Sequence, residues 1–572
     1  MRQWISFSAL LACSVLVLSG CGTPPPEPGN ISDNGNGDEF TRNNGSTQYK
    51  NILQTMIPIE ERDKGGHIID SLDAEPAHLN IHLDTADASG AYITGFIFEG
   101  LLKIDSDSLE IIPHIAKSWD ISEDKLTYTF HLRDDVHFSD NVPLTAHDVK
   151  FSHDVVMDPT NDTAAGRSLR VDIESATVLD DYTIQFKVNK PYIYHLVVMG
   201  GNEIYPKHIY GKGEFNNHPN NRAPVGSGPY TFDSWTTGQQ IVLARNENYW
   251  GPKQPLAKRV WKLITDDNAA FQALERGDTD RYLVKPDAWN RKASKPAFEE
   301  NFNKFTPDSP IPGYFSRYNY IGWNIRKPQF EDKRVRRALC MLFDRQSIIE
   351  NVWGGLGSVI TGSVFHKMPE YDKSIEPWPF DHAGAIKLLD EAGWVDTDKD
   401  GFRDKNGIRL EFRLSYASGI TEYERLGSIY KEELERAGIL MELDPIEWAT
   451  FQERVHKRNF DACMLAWVTS YIVDGYPLWH SSQIEKGRNY PGLARDDLDT
   501  LLEDYRVEFD KDKRIAMSHK VHSILHEEQP YLFLYARPGL VAMDKRIHGV
   551  IEHTGGFDAE DWWIPTAEQK YR

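Results

Sequence analysis

Alternating apolar and polar residues predict the first strands of the fold. Between residues 126 and 132 every second position is apolar, and the positions between are threonine or histidine. A period of two places alternate side chains on opposite faces of a strand, so that one face is buried. A shorter run between residues 184 and 188 repeats the pattern. The predicted buried faces consist of Leu126, Tyr128, Phe130, Leu132, Ile184, Phe186 and Val188.

Helical periodicity farther along the chain makes the fold class α/β. Apolar residues spaced i, i+3, i+4 and i+7 predict an amphipathic helix over residues 335–342. Its stripe consists of Val335, Ala338, Leu339 and Leu342, and Arg334, Arg336 and Arg337 lie on the expected solvated face. A second helix is predicted to begin at Asp381, a suitable N-cap, and to end at Gly393, which can adopt the left-handed conformation.

The N-terminus indicates export. Arg2 precedes an apolar run over residues 5–18, which is shorter than the roughly 20 residues that span a bilayer. Leu18-Ser-Gly-Cys21 follows and resembles the bacterial lipobox, where cleavage before the cysteine exposes it to lipidation. We expect residues 1–20 to be a signal peptide and Cys21 to carry lipid. In the alternative, Cys21 is an ordinary residue after the cleavage site.

Length and charge narrow the function classes. The chain has 572 residues, more than one hydrophobic core supports, so we expect several domains. A Pro-, Gly- and Asn-rich composition over residues 21–62 predicts a flexible tether. The formal charge of -22 repels phosphate groups and argues against nucleic acid as a partner. Contact with the membrane is expected through the lipid anchor only.

Two cysteines remain in the globular part, Cys340 and Cys463, and both lie in apolar runs. They either form one disulfide in an oxidising compartment or are two separate buried thiols, and their spacing favours neither.

Catalytic and metal signatures are missing or broken. The sequence has no Gly-x-Ser-x-Gly, no Gly-x4-Gly-Lys-Ser/Thr and no His-Glu-x-x-His motif. His519, His522 and His526 share a predicted helical face, which we interpret as a polar helix surface. Residues 396–404 resemble the start of a calcium loop, but Gly407 replaces its twelfth-position glutamate, which favours a surface turn. We therefore expect no catalytic residue, metal site or cofactor.

Sequence blocks in a fixed order cover nearly everything after the tether. They lie at residues 116–119, 126–133, 136–138, 143–151, 224–230, 243–250, 330–339, 343–345, 392–394, 460–462, 479–482 and 530–535. Together they resemble family 5 of the bacterial extracellular solute-binding proteins, which includes oligopeptide- and dipeptide-binding proteins. Such a series is more specific than any single motif. Physically the blocks describe scaffold, such as a helix start at Asp148 and a glycine-rich chain reversal, rather than ligand contacts.

The resemblance implies a type II periplasmic-binding-protein-like fold. Two lobes are joined by paired hinge strands, and an extra subdomain is inserted in the first lobe. The expected boundaries are residues 63–105, 222–310 and 531–572 for lobe I, 106–221 for the inserted subdomain and 311–530 for lobe II.

The resemblance also implies ligand contacts. In peptide-binding members, an aspartate three residues after a tryptophan pairs with the terminal ammonium of the peptide. The matching tryptophan is Trp467, but Ser470 occupies the aspartate position and brings no countercharge. Asp474 in the same loop is the candidate substitute, unless it only caps the loop. The other expected contacts are Tyr471, Trp479, Asn319, Tyr320, Ser89, Ala91, Tyr92 and Tyr535.

Together these features lead us to expect a monomeric, non-enzymatic solute-binding protein of the cell envelope, lipid-anchored and facing the periplasm or the extracellular side. Solute would close the lobes, and the permease of an ABC importer would recognise the closed form. The favoured ligand is a peptide, and Ser470 leaves a metal chelate, an opine or an oligosaccharide open. A ligand-sensing receptor is a further alternative. A secreted hydrolase would need a paired nucleophile and base, which the sequence does not reveal.

Overall fold

The computed structural model describes residues 62–310 and 317–570. The predicted signal peptide, the lipidation site Cys21 and all of the tether except Arg62 lie outside these ranges. Within them, no helix combines the length and the apolar character needed to cross a bilayer.

A seven-stranded sheet forms the centre of the first lobe. Strand His67–Leu72 lies in its middle and runs parallel to both of its neighbours, whereas the outer pairs are antiparallel. Parallel strands are covered on both faces, which explains the nearly continuous apolar run around Ile68 and Ile69. In spatial order the strands are Phe302–Phe305, Val541–Asp544, Arg281–Leu283, His67–Leu72, Lys258–Leu263, Gln240–Arg245 and Tyr230–Thr236.

A six-stranded sheet forms the centre of the second lobe. Its middle strand Arg317–Trp323 has antiparallel neighbours on both sides, and side chains alternate between two different cores. Ile321 and Trp323 pack under the helices, while Tyr318 and Tyr320 join an aromatic cluster on the opposite face. In spatial order the strands are Ser358–Val359, Tyr531–Arg537, Arg317–Trp323, Ala462–Val468, Glu411–Ala417 and Leu440–Ile446.

A separate four-stranded sheet confirms the two predicted strands. Strands Thr127–Leu132 and Thr183–Val188 pair directly, and their alternate apolar residues are buried. The outer strands of this sheet are Ala116–Ile121 and Ile173–Asp180. Two-stranded ribbons complete the strand set: Leu102–Ile104 with Ile111–Pro113, Asp404–Lys405 with Ile408–Arg409, and Glu552–His553 with Gly556–Phe557.

Helices cover the faces of the sheets. Among the described residues, the α-helices before residue 310 are Ala88–Thr94, Ala146–Met157, Ala164–Ser168, His195–Gly200, Lys207–Tyr210, Asp267–Glu275, Pro286–Ala288 and Pro296–Glu299. Those after residue 317 are Lys333–Met341, Arg345–Trp353, His382–Glu391, Thr421–Arg436, Trp448–His456, Tyr476–Trp479, Asp496–Val507 and Lys511–Glu528.

Both predicted amphipathic helices are confirmed, with one correction. Asp381 caps helix His382–Glu391 through the Gly384 amide, and Gly393 adopts a φ of 84° after its end. In helix Lys333–Met341, however, Arg336 is not on a solvated face. Its guanidinium is 2% exposed and is held by the Glu528 carboxylate at 3.0 Å and by main-chain carbonyls. Burial is tolerated because these acceptors satisfy both the charge and the donors.

Glu99 ties together two of the sequence blocks. Its buried carboxylate accepts hydrogen bonds from Ser227 at 2.8 Å, Tyr249 at 2.7 Å and Trp250 at 3.0 Å. The glycines beside Ser227 allow close approach of two backbones, since a Cβ on Gly226 would lie 2.0 Å from the Ile97 carbonyl oxygen. These blocks are therefore scaffold, as their residue types indicated.

The chain crosses between the two large sheets twice. One crossing follows strand Phe302–Phe305, the other follows strand Tyr531–Arg537, and the Gly539 amide donates to the Pro307 carbonyl between them at 2.7 Å. Strand Tyr531–Arg537 pairs with Arg317–Trp323 in the second sheet. The expected boundary at residue 531 is thus too early, because the return to the first sheet begins after this strand; the other boundaries stay predictions.

The two cysteines are separate thiols. Cys340 and Cys463 are both buried and not bonded to each other, and the Cys340 thiol donates to the Gln529 side-chain oxygen at 2.9 Å. Burial raises the pKa of each thiol to about 12. This favours the second of the two sequence interpretations.

Candidate functional site

A cavity of about 110 Å³ lies beside the loop that follows strand Ala462–Val468. Trp467, Ser470 and Asp474 line it, so three of the predicted contact residues share one site. Helices Asp496–Val507 and Lys511–Glu528 supply the wall behind the loop. The apolar part of the lining consists of Val364, Val468, Ile472, Val473, Pro477, Leu478, Leu502 and Val521. A cavity of roughly 150 Å³ holds a benzene molecule, so this one suits a single ligand side chain.

Stacked aromatic rings hold Trp467 in place. Its indole lies nearly parallel to the rings of Tyr320 and Tyr490, with centroid distances of 6.3 and 6.0 Å. The indole nitrogen donates to the Tyr531 hydroxyl at 3.4 Å. Trp479 is fully buried behind this group and donates to the Ser363 hydroxyl at 3.2 Å. Trp467 is therefore the ring that faces the cavity, whereas Trp479 supports it.

Ser470 and Tyr318 are two of the hydroxyl-bearing residues that line the cavity. Ser470 accepts a hydrogen bond from the Ile472 amide at 3.0 Å, which fixes the loop and leaves its proton available. Tyr318 is 1% exposed, and its hydroxyl bonds to no other residue of the ranges that the structure describes. Burial raises the pKa of Tyr318 well above its usual value, so the hydroxyl stays protonated. A buried hydroxyl without a partner is costly unless a ligand supplies one.

Asp474 is already compensated by its own protein. Arg506 donates to both carboxylate oxygens, at distances between 2.7 and 3.2 Å, and the Asp474 side chain is 3% exposed. The Tyr192 hydroxyl and the Tyr476 amide also donate to this carboxylate, each at 3.1 Å. With these donors in place, the carboxylate acts as a loop anchor in this conformation.

The same loop joins the second lobe to the segment after strand Thr183–Val188. The Tyr194 hydroxyl donates to the Val473 carbonyl at 3.0 Å and accepts from the Val473 amide at 2.9 Å. The Ile193 amide donates to the Arg506 carbonyl at 3.0 Å. The candidate site therefore lies where two separately folded parts of the chain meet.

Comparison with known proteins identifies the family. The family model described as "Bacterial extracellular solute-binding proteins, family 5 Middle" matches residues 110–487. The oligopeptide-binding protein AppA of Bacillus subtilis (strain 168) is 30% identical over 512 residues, 88% of this chain and 92% of that protein. The chain belongs to solute-binding protein family 5.

The similar proteins differ in the ligands that their names and structure descriptions state. The nickel-binding periplasmic protein of Escherichia coli (strain K12) is 26% identical over 467 residues, which cover 79% of this chain and 86% of that protein. The solved structure of Bacillus subtilis AppA in complex with a nonapeptide has a TM-score of 0.69 at 28% identity. It covers 88% of this chain and 100% of that one. These matches establish the two-lobed α/β fold.

Several predicted contacts do not line the cavity. Asn319 and Tyr535 face the helix side of the second sheet, where Asn319 donates to the Tyr423 hydroxyl at 3.3 Å and Tyr535 packs on Trp353. Strand alternation explains this placement, because Asn319 and Tyr318 point to opposite faces. Tyr320 reaches the cavity wall only through its stacking on Trp467.

The remaining predictions lie outside the cavity lining as well. Ser89, Ala91 and Tyr92 are half-buried in helix Ala88–Thr94 of the first lobe, where the Tyr92 ring packs against Trp261. Tyr471 is half-buried in the loop, and burial, together with the Glu203 carboxylate, raises its pKa to about 12. Their role as ligand contacts stays a prediction.

Sequence reasoning missed Tyr318, Arg488 and Arg506. Tyr318 could have been found from the strand period, since it shares a face with the predicted Tyr320. The two arginines lie 18 and 36 residues beyond Ser470, and nothing local connects them with the loop.

In the Asp-rich turn of residues 396–404, some of the carboxylates already have partners in or beside the turn. Carboxylates of Asp396, Asp398 and Asp404 lie within 4.8 Å of one another, but Asp404 accepts from Thr397 and Arg409 pairs with Asp400. These internal partners agree with a surface turn.

Proposed function

We propose that this family 5 protein binds a peptide between its two lobes and delivers it, unaltered, to the permease of an ABC importer. The observation that carries the proposal is the cavity beside Trp467, built from the loop that also contacts the first half of the chain. A ligand in this cavity would touch groups whose positions depend on lobe contact. Binding and closure are then one coupled equilibrium.

The peptide class is supported by sequence similarity and by the chemistry of the cavity. The relative with 30% identity is named for oligopeptide binding, and its solved structure holds a nonapeptide. An apolar cavity with a few hydroxyl groups fits one side chain of such a ligand and leaves the peptide backbone to the surrounding loop. A nickel-binding relative keeps a metal chelate as the second candidate.

Localisation and mode of action follow from the same proposal. We infer that Cys21 anchors a monomer to the cell envelope, on the periplasmic or extracellular side, with no enzymatic activity of its own. Membrane fractionation of the full chain tests the anchor. The wild-type protein is expected in the membrane fraction and Cys21→Ala in the soluble fraction; equal partitioning of both would contradict lipidation.

Titration calorimetry tests the ligand class. Mixtures of dipeptides, pentapeptides and nonapeptides are titrated separately into the purified protein, with nickel–histidine chelate as the competing class. We expect saturable binding of at least one peptide mixture with a 1:1 end point. Binding of the chelate together with no heat from any peptide mixture would replace the peptide proposal with the chelate.

A further inference from the structure

The charge of the cavity wall points to the chemical group that the site selects. We propose that Arg488 binds an anionic group of the ligand, such as a carboxylate. This inference rests on the proposed function, because it assigns chemistry to the site that would hold the ligand. It gives the site a polarity opposite to that of the ammonium-binding aspartate that peptide-binding family members carry at the position of Ser470.

The guanidinium group of Arg488 has N–H donors that form no hydrogen bond within the described residues. It lines the cavity, is half-buried and lies over the Trp467 indole with 5.6 Å between the guanidinium carbon and the ring centroid. Its guanidinium forms no hydrogen bond or ion pair with any residue in the ranges 62–310 and 317–570. An arginine stacked on an indole is held in orientation while its N–H edge stays available for a bidentate carboxylate.

Two further arginines add positive charge behind this wall, around Tyr490, whose ring stacks on Trp467. Arg326 donates to the Tyr490 carbonyl at 3.0 Å, and Arg458 donates to the Ile484 carbonyl at 2.8 Å. The Arg458 guanidinium also lies 5.2 Å from the centroid of the Tyr490 ring. Carbonyl groups satisfy these donors without cancelling their charge.

The acidic groups nearby do not neutralise this wall. Within the described part of the chain, neither Arg326 nor Arg458 has a carboxylate within 4.0 Å, and Glu485 attracts both only from a greater distance. Asp474, the one carboxylate that lines the cavity within those ranges, is matched by Arg506. Arg488 is therefore the uncompensated charge of the lining, in a protein whose overall charge is -22.

Two hydroxyls complete a site for an anion. Ser470 places a neutral hydroxyl where an aspartate would repel a carboxylate, and Tyr318 offers a protonated hydroxyl that has no partner in the described ranges. A carboxylate accepts hydrogen bonds from hydroxyl and guanidinium groups alike. Three observations thus favour an anion at this site: Arg488 has no ion-pair partner in the described ranges, the Asp474 carboxylate is neutralised by Arg506, and the Tyr318 hydroxyl lacks a hydrogen-bond partner there.

A degenerate pentapeptide library in three N-terminal forms tests the inference. The library is made with a free amine, with an acetyl cap and with a succinyl cap, which replaces the ammonium by a carboxylate. Equilibrium dialysis against the full chain, followed by mass spectrometry, gives the enrichment of each form. Wild-type protein, Arg488→Gln and Lys486→Gln are compared. Lys486 is an exposed cation two residues away, so its variant removes the same charge without touching the cavity.

We expect wild-type protein to enrich succinyl forms, or peptides with Asp or Glu side chains, about tenfold over the free-amine form of neutral peptides. The ratio should fall to about one in Arg488→Gln and stay unchanged in Lys486→Gln. Preference for the free amine in wild-type protein, or a preserved ratio in Arg488→Gln, overturns the inference and leaves peptide binding intact. Retention of no peptide in any form overturns the proposed function and the inference with it. If Arg488→Gln does not fold, the ratio of succinyl to free-amine forms retained by wild-type protein still decides whether the site prefers an anion or an ammonium group.

Discussion

At the scale of single residues, a few side chains set the polar character of the cavity in the second lobe. Tyr318 offers a buried hydroxyl, Arg488 a guanidinium and Ser470 a neutral group at the edge of the same space. Asp474 contributes to the cavity lining but adds no net charge, because its carboxylate forms an ion pair with Arg506. We therefore expect ligand selection to depend on the balance of these few groups rather than on one dominant residue.

The Tyr318 hydroxyl should matter to binding and not to folding. We expect Tyr318→Phe to weaken peptide affinity about tenfold, because the ligand loses a buried hydrogen bond. Its free energy of unfolding should be unchanged or higher, since the hydroxyl has no protein partner within the described residues. Calorimetry and urea unfolding measure the two effects. Tyr430→Phe is the matched control: that hydroxyl donates to the Leu339 carbonyl at 2.8 Å, so stability should fall by about 1 kcal/mol while affinity is kept.

His522 should make the protein sensitive to mild acid. Burial lowers the pKa of this imidazole to about 4, and its Nδ1 accepts from the Asp372 amide at 3.2 Å. The folded pKa lies below the unfolded value of about 6.5, so the unfolded state takes up the proton first and stability is lost as pH falls from 6.5 toward 4.

Urea unfolding at pH 7.5 and 5.5 measures this loss. Between pH 7.5 and 5.5, the free energy of unfolding of the wild-type protein should fall by about 1 kcal/mol more than that of His522→Gln. His519→Gln, one helical turn away on the same face, should behave like wild type. An identical loss in wild type and His522→Gln would show that this histidine does not titrate as described.

Elements with strong local periodicity were the most predictable part of the fold. Strands 127–132 and 183–188 and helices 333–341 and 382–391 appear where the patterns placed them, because local burial and capping decide them. The predicted solvated position of Arg336 was wrong because its partner Glu528 lies 192 residues farther along the chain, and a local pattern contains no information about such a partner. The cavity was half predictable for the same reason: Trp467 lies at the end of one strand and Ser470 in the loop after it, whereas Arg488 comes from a later segment and Arg506 contacts the loop only through Asp474.

The glycine-rich turn at residues 224–230 should tolerate no side chain at Gly226. A Cβ there would lie 2.0 Å from the Ile97 carbonyl oxygen, so we expect Gly226→Ala to lower the free energy of unfolding by about 3 kcal/mol or more. Gly238→Ala is the matched control, because that glycine has a φ of 73° and open space around it. Gly238→Ala should lower the free energy of unfolding by about 1 kcal/mol only. Equal losses in denaturant unfolding would contradict the close-packing explanation.

The whole molecule works as two bodies that meet at the loop of residues 469–475. Contacts from Tyr192, Ile193 and Tyr194 reach across to this loop and to Arg506. They exist only when the lobes are together, so they favour the closed state alongside any ligand. Closure and binding should therefore respond to changes far from the cavity lining.

Removing the Tyr194 hydroxyl should weaken binding through closure alone. Tyr194→Phe loses two hydrogen bonds to Val473, and we expect peptide affinity to fall about tenfold at unchanged thermal stability. Tyr182→Phe, which alters a half-buried ring in the turn between two strands of the four-stranded sheet, is the control and should bind like wild type. Calorimetry on both variants gives the comparison. Unchanged affinity in Tyr194→Phe would mean that this contact does not contribute to closure.

Native mass spectrometry of the purified protein with a mixed peptide pool follows both the capture and the release of the ligand. We expect one intact peptide to add to each chain and the same intact mass to be released on collisional activation. Peptide fragments among the released masses, or a chain that stays free of peptide throughout the titration, would show that the protein does not hold a peptide unaltered.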